Sequence, residues 1–243
     1  MAAGHLDFTE MDRRIGICAA LAVFVSEVAY APVLVLGFLA LKSPEEPIPD
    51  PYFSILELII IVMAPLLVVL MVVVHAYAPR DRKTYSLTAL VFMTILAGIT
   101  SCVHFVILTV SRQMESTGLL WLSFLFSFRW PSVVYALDIL AWDLFFGLSM
   151  LFAAPVFKIG RLERLVRFGL VLSGVLSLAG LIGPVTGNMQ LRNIGIVGYV
   201  GVFSVVCLLL AETFRRTRRP ESRDGNASPL AGPRATFDSV QVF

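Results

Sequence analysis

The sequence predicts an all-α polytopic membrane protein, a six-helix transmembrane bundle. Of the 243 residues, 58% are hydrophobic and only 15% are charged, whereas soluble domains carry about 25% charged residues. The apolar residues form six continuous runs, each long enough for an α-helix to cross roughly 30 Å of hydrocarbon. Because the runs do not alternate between apolar and polar residues, helices are expected and not the strands of a barrel.

The six predicted spans follow one another through short connections. They cover residues 15–41, 53–78, 85–110, 132–157, 166–185 and 194–214. Residues 42–52 carry four prolines and predict an extended loop, and residues 80–84 predict a tight turn. Residues 119–130, with the sequence LLWLSFLFSFRW, are too few to span and predict an interfacial or re-entrant segment, or else an extension of span three or four.

The distribution of basic residues predicts the orientation. All but four of the 19 Lys and Arg residues fall on one side of the predicted bundle; the four exceptions are Lys42, Arg112, Arg129 and Arg192. By the positive-inside rule, both termini are expected to be cytoplasmic. Residues 1–14 then form a cytoplasmic N-terminus. Residues 215–243, rich in Arg, Pro, Ser and Gly, form a disordered basic cytoplasmic tail that can contact anionic lipid.

The candidate site residues are ionisable side chains placed inside the spans. Such groups cost roughly 3 kcal/mol each on insertion scales and therefore tend to be partnered or functional. Their depths predict two groupings, an outer one near the external surface and an inner one near the midplane. The outer group is Glu57, His104 and Asp138, with Arg129 reaching in from the interface; the inner group is Glu27 and Asp143.

Two details qualify these groupings. Asp138 and Asp143 are five residues apart, which is about 140° around an α-helix, so they are not expected to face one point. A lone carboxylate can also be protonated and hydrogen-bonded to the next helix, serving packing only. Glycines and serines of spans five and six predict close approach of those helices.

Several classes of protein are disfavoured. The formal net charge of +2 gives no reason to expect nucleic-acid binding. The three cysteines lie in apolar runs without CxxC spacing, so neither a disulfide framework nor a zinc site is indicated. His75 and His104 fall near opposite faces, which disfavours a haem pair. No cofactor is expected, and no common enzyme motif stands in a plausible context.

One stretch carries a family resemblance. Residues 141–174, AWDLFFGLSMLFAAPVFKIGRLERLVRFGLVLSG, resemble small multi-pass bacterial membrane proteins known only as domains of unknown function. In those proteins a Trp/Phe/Gly-rich helix ends at a short turn, often with a proline that Leu162-Glu163-Arg164 replaces here. The resemblance implies a bacterial inner (plasma) membrane and no particular activity.

Three functions remain open from the sequence. The first is a small proton- or cation-linked transporter that uses the intramembrane carboxylates. The second is a non-catalytic partner, sensor or scaffold subunit that associates with itself or with another membrane protein through the glycine faces. The third is an intramembrane metal enzyme using His104, Asp138 and Glu57, because imidazole and carboxylate can ligate divalent metals.

Overall fold

The predicted six-helix architecture is confirmed. The computed structural model describes residues 8–43, 48–111, 113 and 123–217. This part of the chain contains helices and no β-strand, and six of its helices are long and apolar enough to cross a membrane. They are α1 Glu10–Leu39, α2 Tyr52–Tyr77, α3 Arg80–Ser111, α4 Val133–Val156, α5 Arg161–Thr186 and α6 Met189–Arg216.

Several helices begin before the predicted spans, because hydropathy marks only the part of a helix that lies in hydrocarbon. The α1 helix begins at a capping box, in which the backbone N–H of Asp12 donates to the Thr9 hydroxyl at 3.1 Å and the Asp12 carboxylate accepts from Thr9 N–H at 2.9 Å. A polar first turn follows, in which Glu10 pairs with Arg13 and Arg14. The α6 helix likewise begins five residues early, with a 3₁₀ turn at Met189–Arg192.

Three of the helices contain a π-helical turn. These turns lie at Ile107–Ser111 in α3, Leu140–Phe145 in α4 and Val197–Val202 in α6. A π turn closes hydrogen bonds between residues five apart and is found mostly as a single turn within an α-helix, frequently at functional sites. It changes which residues share a face of the helix, which matters for the site below.

The α4, α5 and α6 helices pack closely through small residues, as predicted. A Cβ added at Gly174 in α5 would lie 2.8 Å from the carbonyl oxygen of Gly147 in α4. The Ser173 hydroxyl of α5 donates to the Gly198 carbonyl of α6 at 2.9 Å. At these positions the small residues therefore serve contacts between helices within the chain.

Packed aromatic rings fill one end of the bundle. Tyr77 lies among Phe8, Phe157 and Phe214, with ring centroids 5.4, 5.6 and 5.6 Å away, respectively. The Tyr77 hydroxyl donates to Glu163 at 2.6 Å. We call these four aromatic residues the packed end. Phe8 precedes α1 and Phe214 lies near the end of α6. The start of the first helix and the end of the last helix therefore both lie at the packed end.

Large apolar side chains are exposed on the outward surface of the bundle. Val62 of α2, Phe105 of α3 and Phe168 of α5 are all at least 60% exposed. Side chains of this kind are suited to contact with lipid, which agrees with a multi-pass membrane protein.

The segment predicted to be interfacial or re-entrant is only partly described. Residues 119–122 lie outside the described residues, while Ser123–Phe126 form a short helix. Phe128 then packs against Phe53 of α2 and Tyr135 of α4, at ring centroid distances of 5.9 and 4.9 Å. The predicted tail lies outside the described residues from residue 218 onward.

Candidate functional site

The structure brings the predicted outer group together. His104 of α3 lies between Glu57 of α2 and Asp138 of α4, and all three side chains are buried. His104 Nδ1 is 2.5 Å from Glu57 Oε2, a hydrogen bond, and His104 Nε2 is 3.3 Å from Asp138 Oδ1, an ion-pair distance without hydrogen-bond geometry. The Phe128 ring lies 5.8 Å from the imidazole, between centroids, and shields it.

The guanidinium of this cluster comes from Arg192, which the sequence assigned to an external connection. Arg129, the arginine expected here, is exposed. Arg192 is only 8% exposed, and its Nη2 donates to Asp138 Oδ2 at 2.9 Å while its Nη1 donates to the Tyr135 hydroxyl at 3.0 Å. The described basic partner of the buried acids is therefore Arg192 and not Arg129. The 3₁₀ turn that begins α6 carries Arg192 into the bundle.

The expectation that Asp138 and Asp143 face different points is also wrong. Arg192 Nε lies 3.5 Å from Asp143 Oδ2, while the same guanidinium binds Asp138. The reason is the π turn Leu140–Phe145. The turn begins two residues after Asp138 and includes Asp143. Because a π turn bonds residues five apart in place of four, it holds more residues per turn, which reduces the angle of about 140° that regular winding gives between the two side chains.

The five residues form one line of alternating acids and bases across four helices. In order they are Glu57, His104, Asp138, Arg192 and Asp143, and we call this line the acid–base chain. A buried ion pair is tolerated only when hydrogen bonds and opposite charges replace the lost water. Here each charged group has an opposite neighbour. An imidazole between two carboxylates can also pass a proton from one to the other.

Two glycines make room for the last member of the acid–base chain. A Cβ added at Gly180 of α5 would lie 2.6 Å from Asp143 Oδ1, and one added at Gly195 of α6 would lie closer still. Asp143 therefore lies where α5 and α6 touch, with both carboxylate oxygens buried and lacking hydrogen bonds. Its ion pair with Arg192 is the charge contact recorded for it among the described residues.

Glu27 lies in a different place, on the wall of a cavity. The cavity has a volume of about 470 Å³ and is also lined by Tyr30, Trp142 and Tyr199. Toward its mouth it is lined by Phe38 and Leu41 of the first helix and its loop, and by Ile48. Glu27 and Leu41 are 14 residues apart, so the cavity extends about 20 Å along α1.

The Glu27 carboxyl is buried without a partner. The side chain is 1% exposed, and its Oε2 has no hydrogen-bond partner in the part of the chain that the structure describes. Glu57, Asp138 and Arg192 of the acid–base chain line the same cavity. Asp143 is not among the cavity-lining residues, so the predicted inner pair of Glu27 and Asp143 is not formed.

The described residues give no support to the metal-enzyme hypothesis. Within the described ranges, no three His, Cys, Asp or Glu side chains are placed so that they could hold a metal ion. Around His104, the Glu57 carboxylate faces Nδ1, and Asp138 is drawn toward Arg192.

Comparisons with protein-family models, with curated proteins and with solved structures give no match. The resemblance of residues 141–174 to bacterial domains of unknown function therefore stays a prediction, and the site has to be interpreted from its own geometry.

Proposed function

We propose that this chain is a small proton- or cation-linked transporter. The observation that carries the proposal is Glu27, a buried carboxyl with an unpartnered oxygen on the wall of a cavity that runs deep into the bundle. A carboxyl in that position is costly unless a proton or another cation neutralises it. A cavity provides the route by which the cation arrives and leaves.

The acid–base chain can couple a change of charge at Glu27 to the packing of the helices. Glu57 and Asp138 face the same cavity as Glu27 and connect through His104 and Arg192 to four helices. A change in charge at the cavity wall alters the balance among these ion pairs. Because α2, α3, α4 and α6 each contribute a member, a shift in pairing changes how those helices hold together, as a transport cycle requires.

Orientation and location are part of the proposal. We place the chain in a bacterial inner membrane with both termini cytoplasmic, supported by the bias in Lys and Arg positions. The cavity mouth lies beside the connection between α1 and α2, at the end away from the termini, and therefore opens outward. The basic C-terminal tail then lies where anionic lipid headgroups can bind it.

A pH-jump experiment tests the proposal without knowledge of the substrate. Purified protein is reconstituted in liposomes on a solid-supported membrane, and the transient current is recorded after a rapid change in external pH, Na⁺ or K⁺. We expect a current in the wild type for at least one ion, because Glu27 binds charge within the membrane field. The Glu27→Gln variant should lose at least nine-tenths of it.

Glu10→Gln is the matched control, since Glu10 is an exposed acid on the same helix. Its current should equal that of the wild type. A Glu27→Gln variant with the full current, or a wild type indistinguishable from protein-free liposomes in all three jumps, would refute the transport proposal.

A non-catalytic sensor or scaffold subunit is the second candidate. It is favoured by the pairing of each charged group in the acid–base chain, which is what a rigid polar core would also need. That candidate predicts no current in the pH-jump experiment, although the cavity can still bind a ligand.

A further inference from the structure

We propose that the cavity binds an organic cation, with its positively charged nitrogen at Glu27 and its apolar body toward the mouth. This inference names the substrate class of the transporter proposed above and rests on that function. It follows from the charges, the aromatic rings and the shape of the cavity wall.

The charges on the wall favour a cation. Three carboxylates line the cavity, Glu27, Glu57 and Asp138, against one guanidinium, Arg192. Glu57 is bonded to His104, and Asp138 is bonded to Arg192. Glu27 is the member of the three for which the described residues provide no opposite charge, so a ligand with a positive charge completes the site.

The aromatic rings on the cavity wall suit an alkylammonium group. Tyr30 lies three residues after Glu27 in α1, which places both on one face of the helix. Trp142 and Tyr199 also line the cavity, with their ring centroids 5.2 Å apart. Aromatic faces attract cations, and quaternary ammonium groups are commonly bound this way. The same wall already shows such a contact, with the Arg192 guanidinium 4.9 Å from the centre of the Tyr135 ring.

The rest of the wall requires an apolar body on the ligand. Beyond Tyr30, the wall includes Leu34 and Phe38 of α1 and Leu41 just after it, together with Leu56 and Ile60 of α2. The volume of about 470 Å³ lies within the range of pockets for small organic molecules. A bare metal ion would instead need several oxygen ligands close together. An inorganic cation would leave most of this apolar surface without a contact.

Equilibrium binding to the detergent-solubilised full chain tests the inference. The probe is benzyltrimethylammonium, measured by isothermal titration calorimetry beside neopentylbenzene, its uncharged carbon isostere. We expect the wild type to bind the cation at least tenfold more tightly than the neutral isostere. Glu27→Gln should weaken cation binding at least tenfold, while the control Glu10→Gln leaves it unchanged.

A second pair of variants tests the aromatic contribution. Tyr30→Leu should weaken binding of the cation by about threefold to thirtyfold, as loss of a cation–π contact predicts. Tyr85→Leu is its control, because Tyr85 is exposed and lies beside Arg82, outside the cavity. All variants are first shown to elute as the wild type does in gel filtration.

The outcomes separate the two proposals. Equal binding of the cation by the wild type and Glu27→Gln, equal binding of the charged and neutral probes, or no binding of the cation overturns the organic-cation inference. A pH-jump current that persists in that case leaves the transport proposal standing. Conversely, Glu27-dependent binding without any current supports the ligand site and refutes transport.

Discussion

The two ends of the bundle differ in how their buried polar groups are packed and hydrogen-bonded. At the packed end, the rings of Tyr77, Phe157 and Phe214 are at most 2% exposed, and the single polar atom among them, the Tyr77 hydroxyl, is bonded to Glu163. At the other end, a cavity of about 470 Å³ reaches down to a carboxyl with an unpartnered oxygen. The same six helices therefore provide tight packing at one end and, at the other, open space beside a carboxyl oxygen that has no hydrogen-bond partner among the described residues.

The difference indicates which part of the bundle lowers the stability of the fold. Close packing and complete hydrogen bonding stabilise a helical bundle, so a cavity wall with an unpaired acid lowers stability relative to a filled core. Sites that bind ligands commonly carry such a cost. We therefore expect the functional site at the cavity end, and three experiments test the contrast between the two ends.

The largest expected effect is a difference in solvent access. In a chain with Cys18, Cys102 and Cys207 replaced by alanine, we compare Leu34→Cys on the cavity wall with Ala20→Cys in the core of the same helix. A membrane-impermeant methanethiosulfonate reagent added outside intact cells should label position 34 at least tenfold faster than position 20. The rates are measured from the loss, with time of exposure to the first reagent, of labelling by a fluorescent maleimide that is added afterwards.

The same labelling experiment tests the orientation. Labelling of position 34 that occurs only in inside-out vesicles would reverse the proposed topology. Equal, slow labelling at both positions would show that the cavity is closed to solvent, and the contrast between the two ends would disappear.

The second largest effect is expected from Arg192→Met. This change leaves Asp138 and Asp143 without their shared guanidinium, and breaking a buried ion pair by removing one partner costs about 3–5 kcal/mol. The measurement is the free energy of unfolding in mixed micelles, by titration with denaturing detergent. Arg167→Met, at an exposed arginine of α5, should change it by less than about 0.5 kcal/mol.

The double variant Arg192→Met with Asp138→Asn adds a check. If the loss comes from an uncompensated carboxylate, removing that carboxylate should restore part of the stability. A loss below about 1 kcal/mol in Arg192→Met alone would mean that the ion pairs of the acid–base chain contribute little.

The smallest of the three effects is expected from Gly195→Ala. The new Cβ would collide with the Asp143 carboxylate, and overpacking of this kind costs about 1–3 kcal/mol. Gly98→Ala is the control, since nothing lies within 4 Å of a Cβ added there, and alanine should stabilise the helix by up to about 1 kcal/mol. Equal free energies of unfolding for the two variants would show that the Asp143 carboxylate can move away from the added methyl group without cost.

The six helices could be predicted from the sequence because hydrophobic length is a local property. The grouping of Glu57, His104 and Asp138 was also accessible, since counting residues from each end of a span gives an approximate depth. Depth alone does not give direction around a helix. For that reason, counting placed Glu27 and Asp143 at one level, although they lie at separate sites.

The role of Arg192 was missed because basic residues near span ends usually indicate orientation. A signal was present: within the connection between spans five and six, Arg192 is the only charged residue, and it stands three positions before Gly195. The π turns had no such signal, because their formation depends on packing between helices. The cavity likewise depends on how six helices fit together, which periodicity does not encode.

The π turn in α4 makes the site depend on the winding of a helix as well as on the chemistry of its side chains. A regular α-helix turns about 100° per residue, so Asp138 and Asp143, five positions apart, would lie about 140° apart if the helix returned to regular winding at its full length. Loss of one residue between them, with regular winding, would instead leave them about 40° apart, on one face. In a related chain, an alignment gap of a single position at 140–145 would thus indicate a regular helix that keeps both carboxylates on one face, whereas full length without the π turn would separate them.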